Sequence, residues 1–94
     1  MRINNKKNFK KYIKSCFFCN ESNLNLLDVH RIYEGCKGGE YCHENVLVIC
    51  ANCHRKVHCE EIKNIKKYKS YGGNSLFQVM YFIEDKEYFK PCDY

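Results

Sequence analysis

The run Cys50-Ala51-Asn52-Cys53-His54-Arg55-Lys56-Val57-His58, CANCHRKVH, sets two kinds of metal ligand side by side, and a matching pair, Cys16-Phe17-Phe18-Cys19, CFFC, lies 30 residues upstream. A CxxC turn brings two thiolates to one side of a metal ion, and two such turns complete a closed tetrahedral zinc site. Cys16, Cys19, Cys50 and Cys53 are therefore expected to hold a structural Zn2+. Four ligands leave no open position for a substrate, and the binding free energy becomes folding free energy. A redox pair fits less well, because two matched CxxC units are present rather than one. His54 and His58 stand at i and i+4, which on a helix puts both imidazoles on one face roughly 6 Å apart, able to chelate a divalent ion. An isolated HxxxH is commonly just a surface pair. Here the preceding cysteine fixes where the helix begins and so where the two rings point.

The rest of the chain suits such a staple. Ninety-four residues bury only a modest core, and eight cysteines are many for that length. Disulfides would use an even count too, but the opening MRINNKKNFKKYIKSC is basic and polar, without the apolar run of a signal peptide. The expectation is a reducing, cytoplasmic setting in which thiolates bind metal; Cys36, Cys42, Cys59 and Cys92, which share no spacing, read as ordinary thiols. No run of about 18 apolar residues exists to span a membrane.

The net charge of +5 is unevenly spread, with six basic and no acidic residues from Met1 to Lys14 and a second basic run from Arg55 to Lys69. Both lie near aromatic residues. Solvated helix faces and a polyanion partner are the two readings, and charge alone does not choose between them.

Along the chain there is no repeat and no linker, so a single domain 1–94 is expected: a basic helical arm (1–15), the zinc knuckle and core (16–69), and a C-terminal strand and tail (70–94). Phe9, Tyr12 and Ile13 have helical spacing, predicting a helix from about Asn5 to Lys14. Leu24–Ile32 and Val46–Ile49 read as strands joined by a loop containing Gly35, Gly38 and Gly39. A helix is expected after Cys50, its apolar face continuing through Val57, Ile62, Ile65 and Tyr68 until SYGGNS ends it. Leu76–Ile83 is a further strand, followed by a mixed-charge tail.

From Cys16 to His58 the combined pattern of CxxC, VHRI, a glycine loop, ENVLVIC and CANCHRKVH resembles the zinc-knuckle subgroup of the HNH nucleases. The resemblance implies an α+β fold, a small ββα-metal domain with a four-cysteine knuckle, an N-terminal helix and a C-terminal strand. It also implies a metal-dependent DNA endonuclease. Carried over, His30 matches the first-strand metal ligand, His54 and His58 the helix ligands of a catalytic Mg2+, Mn2+, Ni2+ or Zn2+, and Asn45 the asparagine. Arg31 stands where the family usually has its general base, and an arginine stays protonated at any working pH. Two arrangements answer this. In one, His30 is the base and Asp28, two residues earlier on the same strand face, is the ligand. In the other, His30 binds metal, Arg31 pairs with phosphate, and the base is His43 or water on the metal.

The implied partner is double-stranded or branched DNA, cut by a monomer or dimer of phage or other mobile-element origin. Phosphates would be held by Lys6, Lys7, Lys10 and Lys11 ahead of the knuckle and by Arg55, Lys56, Lys63 and Lys66 after it. The competing class is a zinc-knuckle nucleic-acid-binding module without turnover.

Overall fold

Asn5 opens the first helix, α1 (Lys6–Ile13), by accepting a hydrogen bond from the Asn8 amide at 3.0 Å, and Lys14 closes it in the left-handed conformation, φ 73°, with its N–H on the Lys10 carbonyl. These are the expected ends. Phe9 is the buried residue of α1. The computed structural model describes residues 3–33, 39–70 and 75–94; the expected turns at Gly35 and Gly38, Cys36, and most of SYGGNS lie outside them.

Strands β1 (Leu27–Arg31) and β2 (Val46–Cys50) pair antiparallel, with Leu27 opposite Cys50 and Arg31 opposite Val46. The expected first strand is shorter than its apolar run. Asn23 accepts from the Asn25 amide and turns Leu24–Leu26 into a 3₁₀ turn, the usual way a short polar side chain competes with extended structure. A second 3₁₀ turn, His43–Asn45, leads into β2.

The helix after β2 is α2 (Ala51–His58), and it is much shorter than the apolar spacing predicts. Residues Ile62–Lys69 form β3 instead, so Lys63 and Lys66, expected on a basic helix, belong to a strand. Glu60, at φ 64°, breaks the helical path, and Ile62 pairs with Ile83. A bulge between Lys63 and Lys66, with Asn64 at φ 56°, inserts an extra residue into β3. That residue lets two inward isoleucines sit three apart, a strand imitating helical spacing.

The mixed-charge tail is likewise a strand. β4 (Phe77–Ile83) turns through Glu84 and Asp85, both at positive φ, into β5 (Lys86–Cys92). Two consecutive left-handed residues make the tight connection whose twist matches a hairpin, though Glu-Asp lacks the glycine that usually signals it. The second sheet has the order β3-β4-β5. No helix is long and apolar enough to cross a membrane, among the described residues.

Between the two sheets lies β2, whose Val46, Leu47, Val48 and Ile49 are completely buried. Its edge away from β1 needs hydrogen-bond partners, because an unpaired buried backbone group is costly. Among the described residues no third strand supplies them. The Phe17 amide donates to the Val48 carbonyl at 2.8 Å, the Val48 amide donates to the Tyr94 hydroxyl at 3.0 Å, and the Lys67 ammonium donates to the Val46 carbonyl at 2.9 Å. Lys67 also lies over the rings of Phe77 and Tyr94, at 4.6 and 4.9 Å from their centres. Burial pushes its pKa down, an effect that the surrounding thiols and Glu44 oppose. Lys90 donates to the Phe17 carbonyl and so ties β5 to the knuckle turn.

Tyr94→Phe keeps the ring and leaves the Val48 amide without its acceptor, so it should destabilise the chain by about 1–3 kcal/mol. Tyr12→Phe, at a side chain 78% exposed, is the control and should change nothing measurable. Urea unfolding decides: an unaltered midpoint for Tyr94→Phe would mean that the hydroxyl does not hold this edge.

Candidate metal centres and the surrounding site

The four cysteines of the two CxxC turns come together at the root of the β1–β2 pair. Asn20, at φ 65°, closes the first turn by donating to the Cys16 carbonyl, while the Phe17 amide docks the same turn on β2. Cys50 ends β2 and is also the N-cap of α2, its sulfur accepting from the Cys53 amide at 3.4 Å. The four sulfurs all lie within 4.8 Å of one another, with Cys19 Sγ and Cys50 Sγ 3.5 Å apart. Tetrahedral Zn–S bonds of roughly 2.3 Å give sulfur separations of roughly 3.8 Å, so the cage fits a structural metal such as zinc.

Burial pushes the Cys53 thiol up, as it does that of Cys19. At Cys50 burial acts the same way, but the Cys53 amide and the neighbouring thiols outweigh it and bring the pKa below the usual thiol range. Four thiols this close, three of them buried, would be stabilised by a cation in their centre. Cys42, Cys59 and Cys92 are free and stand outside it.

Because the cluster fixes the first turn of α2, it also fixes where His54 and His58 project. Their rings lie 4.7 Å apart, and His30 on β1 lies 4.9 Å from His54 and 6.3 Å from His58. The three imidazoles thus converge from strand and helix. Ligands at roughly 2.0–2.1 Å from one ion place adjacent ring centres roughly 4.5–5.5 Å apart, which two of the three separations match. Among the described residues only the cysteines close to within 4.8 Å as a donor set. Imidazole donors suit zinc, nickel, copper and iron.

Asp28 belongs to this cluster, with its Oδ2 3.4 Å from His54 Nδ1. A carboxylate on Nδ1 orients the ring and leaves Nε2 as the free lone pair, an arrangement common behind metal-binding histidines.

Asn45 is committed to the connection between the strands. Its amide donates to the Tyr33 and Glu40 carbonyls at 3.0 and 2.9 Å, and its Oδ1 accepts from the Tyr33 amide at 2.8 Å. It clamps the loop. His43 is not in the imidazole cluster: Nδ1 contacts the Tyr94 carbonyl at 2.9 Å and Phe9 meets its ring edge-on at 5.3 Å. Arg31 lies over the ring of Tyr41 at 4.4 Å, and Lys6 over the same ring at 4.2 Å.

The other cations expected to face phosphate have varied surroundings. Lys7, Lys11, Arg55, Lys56 and Lys66 are exposed. The Lys10 ammonium is spent on the Leu27 carbonyl at 2.8 Å, and Lys63 pairs with Asp85 at 3.2 Å. Tyr41, which gathers two of the cations, carried no signal beyond being aromatic in a glycine-rich stretch.

Compared with protein-family models, with curated proteins and with solved structures, the chain matches none.

Cys50→Ser should remove a metal ligand while leaving a good N-cap for α2, so that any unfolding of the chain reports loss of the metal and not of the cap. Structural zinc contributes on the order of 10 kcal/mol in small domains, comparable to the whole stability of such a fold. Cys59→Ser, at an exposed thiol outside the cluster, should keep one zinc per chain. Native mass spectrometry with circular dichroism reads both, and a folded Cys50→Ser chain without zinc would sink the cage as the staple of the fold.

Proposed function

We propose that this chain is a metal-dependent endonuclease of the HNH class, hydrolysing DNA phosphodiester bonds at a ββα-metal site formed by β1, β2 and α2. The observation that carries the proposal is the convergence of His30, His54 and His58 at 4.7–6.3 Å, from β1, which pairs with β2, and from α2, which Cys50 joins to β2. The cysteine cage provides the structural zinc site, and the imidazoles are the ligands for a second, exchangeable divalent ion.

Of the two arrangements open from sequence, the geometry favours His30 as a ligand. Asp28 faces His54 Nδ1 and so serves that ring. When bound, the divalent ion supplies the Lewis acidity that activates water and offsets charge building on the phosphate. The chain's own residues do the rest. Asp28 holds His54 in the tautomer that points Nε2 outward. Asn45 ties Tyr33 to Glu40 through three hydrogen bonds, and thereby fixes the end of the strand carrying His30 and Arg31. Arg31, permanently charged, neutralises phosphate rather than taking a proton. Exposed Lys7, Lys11, Arg55 and Lys56 hold the duplex electrostatically.

One observation favours the competing reading, a zinc-knuckle module that binds nucleic acid without turnover. Neither side chain considered for the base is placed to act as one: Arg31 is a cation, and His43 lies against Tyr94 and Phe9.

Plasmid nicking with added Mg2+, Mn2+, Ni2+ or Zn2+ tests the choice. His30→Ala, His54→Ala and His58→Ala should each reduce cleavage at least 100-fold and empty the exchangeable site while the cysteine-bound zinc stays. Asp28→Asn should cost about 10- to 100-fold, the usual effect of losing an orienting partner. Loss of the second metal on Asp28→Ala, with metal retained in His30→Ala, would instead make Asp28 the ligand and His30 the base. Wild-type protein that binds DNA and a second metal but cuts no duplex, branched or single strand defeats the nuclease reading and leaves the binding module.

A further inference from the structure

Beside the imidazole cluster runs a cleft of about 370 Å³, bounded by Lys6 and Lys10 of α1, Asp28 and Val29 of β1, Tyr41, and His54 of α2. Lys6 and Tyr41, distant in sequence, meet on its rim, and Arg31, which does not line the cleft, approaches the same tyrosine. The ring of Tyr41 carries Lys6 at 4.2 Å and Arg31 at 4.4 Å, so a helix cation and a strand cation share one platform. The Ile3 amide donates to the Tyr41 carbonyl at 2.7 Å, which anchors the residues preceding α1 to the same platform. The His54–Asp28 and Lys63–Asp85 ion pairs involve neither Lys6 nor Arg31.

We propose that Lys6 and Arg31, positioned by Tyr41, form a two-cation clamp for one backbone phosphate, placed so that the adjoining phosphodiester reaches the cleft beside His54. Two like charges repel each other, and an anion within reach of both offsets that repulsion. The planar guanidinium offers a fork of donors to phosphate oxygens, and the ammonium supplies a compact charge from the opposite element. Cation–π contact with a half-buried ring restricts both side chains before the ligand arrives, which lowers the ordering cost of binding. Tyr41 is a positioning residue: it holds the cations and touches no phosphate. Val29, on the strand side shared with Arg31, closes the cleft with apolar surface. The clamp rests on the nucleic-acid reading above and adds to it the place where the backbone enters the site.

The test is equilibrium binding of a fluorescent DNA duplex of about 20 base pairs by the zinc-loaded chain without added divalent ion, from roughly 50 to 200 mM salt. Lys6→Ala and Arg31→Ala should each flatten the slope of log affinity against log salt by about 0.9, and the double variant by about twice that. Tyr41→Leu should weaken wild-type binding several-fold but change nothing further in the Lys6→Ala/Arg31→Ala background, and Tyr41→Phe should bind as wild type. A slope unchanged in the double variant overturns the clamp while leaving the nuclease proposal standing, provided the wild type still binds and cuts. Equal losses from Tyr41→Leu in both backgrounds overturn the positioning role and make Tyr41 a direct contact or a folding residue, which the zinc content and melting curve of that variant distinguish. Wild-type protein with no affinity for DNA overturns the clamp and the function together.

Discussion

The contact among four sulfurs governs this molecule because one of its members, Cys50, holds three positions at once. It is the last residue of a buried strand, the N-cap of the following helix and a member of the cage. A residue so constrained leaves no freedom in the angle between β2 and α2. The direction in which His54 and His58 leave the helix is therefore set by the same atoms that staple the fold. Short helices are marginal by themselves, and α2 has only eight residues, so its alignment comes from this anchor and from packing rather than from helix propensity.

What the cage does at one end of β2, individual side chains do along its edge. A completely buried strand in a two-stranded sheet would strand its outer carbonyls and amides, yet the Phe17 amide, the Tyr94 hydroxyl and the Lys67 ammonium take the places of a missing neighbour. The second sheet is joined to the first in this way. Lys10 and Lys90 act similarly toward Leu27 and Phe17. Three of the lysines that make the chain basic are thus partly internal, donating to main-chain carbonyls with their aliphatic stems packed against the core. Net charge consequently overstates how many cations are free to meet a polyanion.

The same distinction explains what the sequence made legible. Ligand spacing is a local property, so the cysteine cage and the i, i+4 histidines could be read directly, as could the capped helix α1 and the strands β1, β2 and β4. Apolar spacing failed after His58, because a β-bulge placed Ile62 and Ile65 three apart and copied the helical interval. β5 was missed because its turn uses Glu84 and Asp85 at positive φ, where glycine or asparagine would have announced it. Partners far apart along the chain left no trace at all. Nothing in the order of residues says that Asp28 faces His54, that Tyr94 completes the edge of β2, or that Tyr41 gathers Lys6 and Arg31.

Those long-range partners change how Arg31 is understood. Alternation along β1 puts Asp28 and His30 on the side facing α2, while Val29 and Arg31 project from the other. An imidazole at position 31 on this backbone would therefore start out on the side of Tyr41, away from His54 and His58. In the proposed site β1 serves two tasks at successive positions, with a metal-binding imidazole at His30 and a phosphate-holding cation at Arg31, and Lys6, Tyr41 and His54 border one cleft. The arginine then does not stand in for a missing base. It supplies the permanent charge that a histidine near neutral pH would supply only part of the time, and Tyr41 is the feature that makes that charge useful by fixing where it sits.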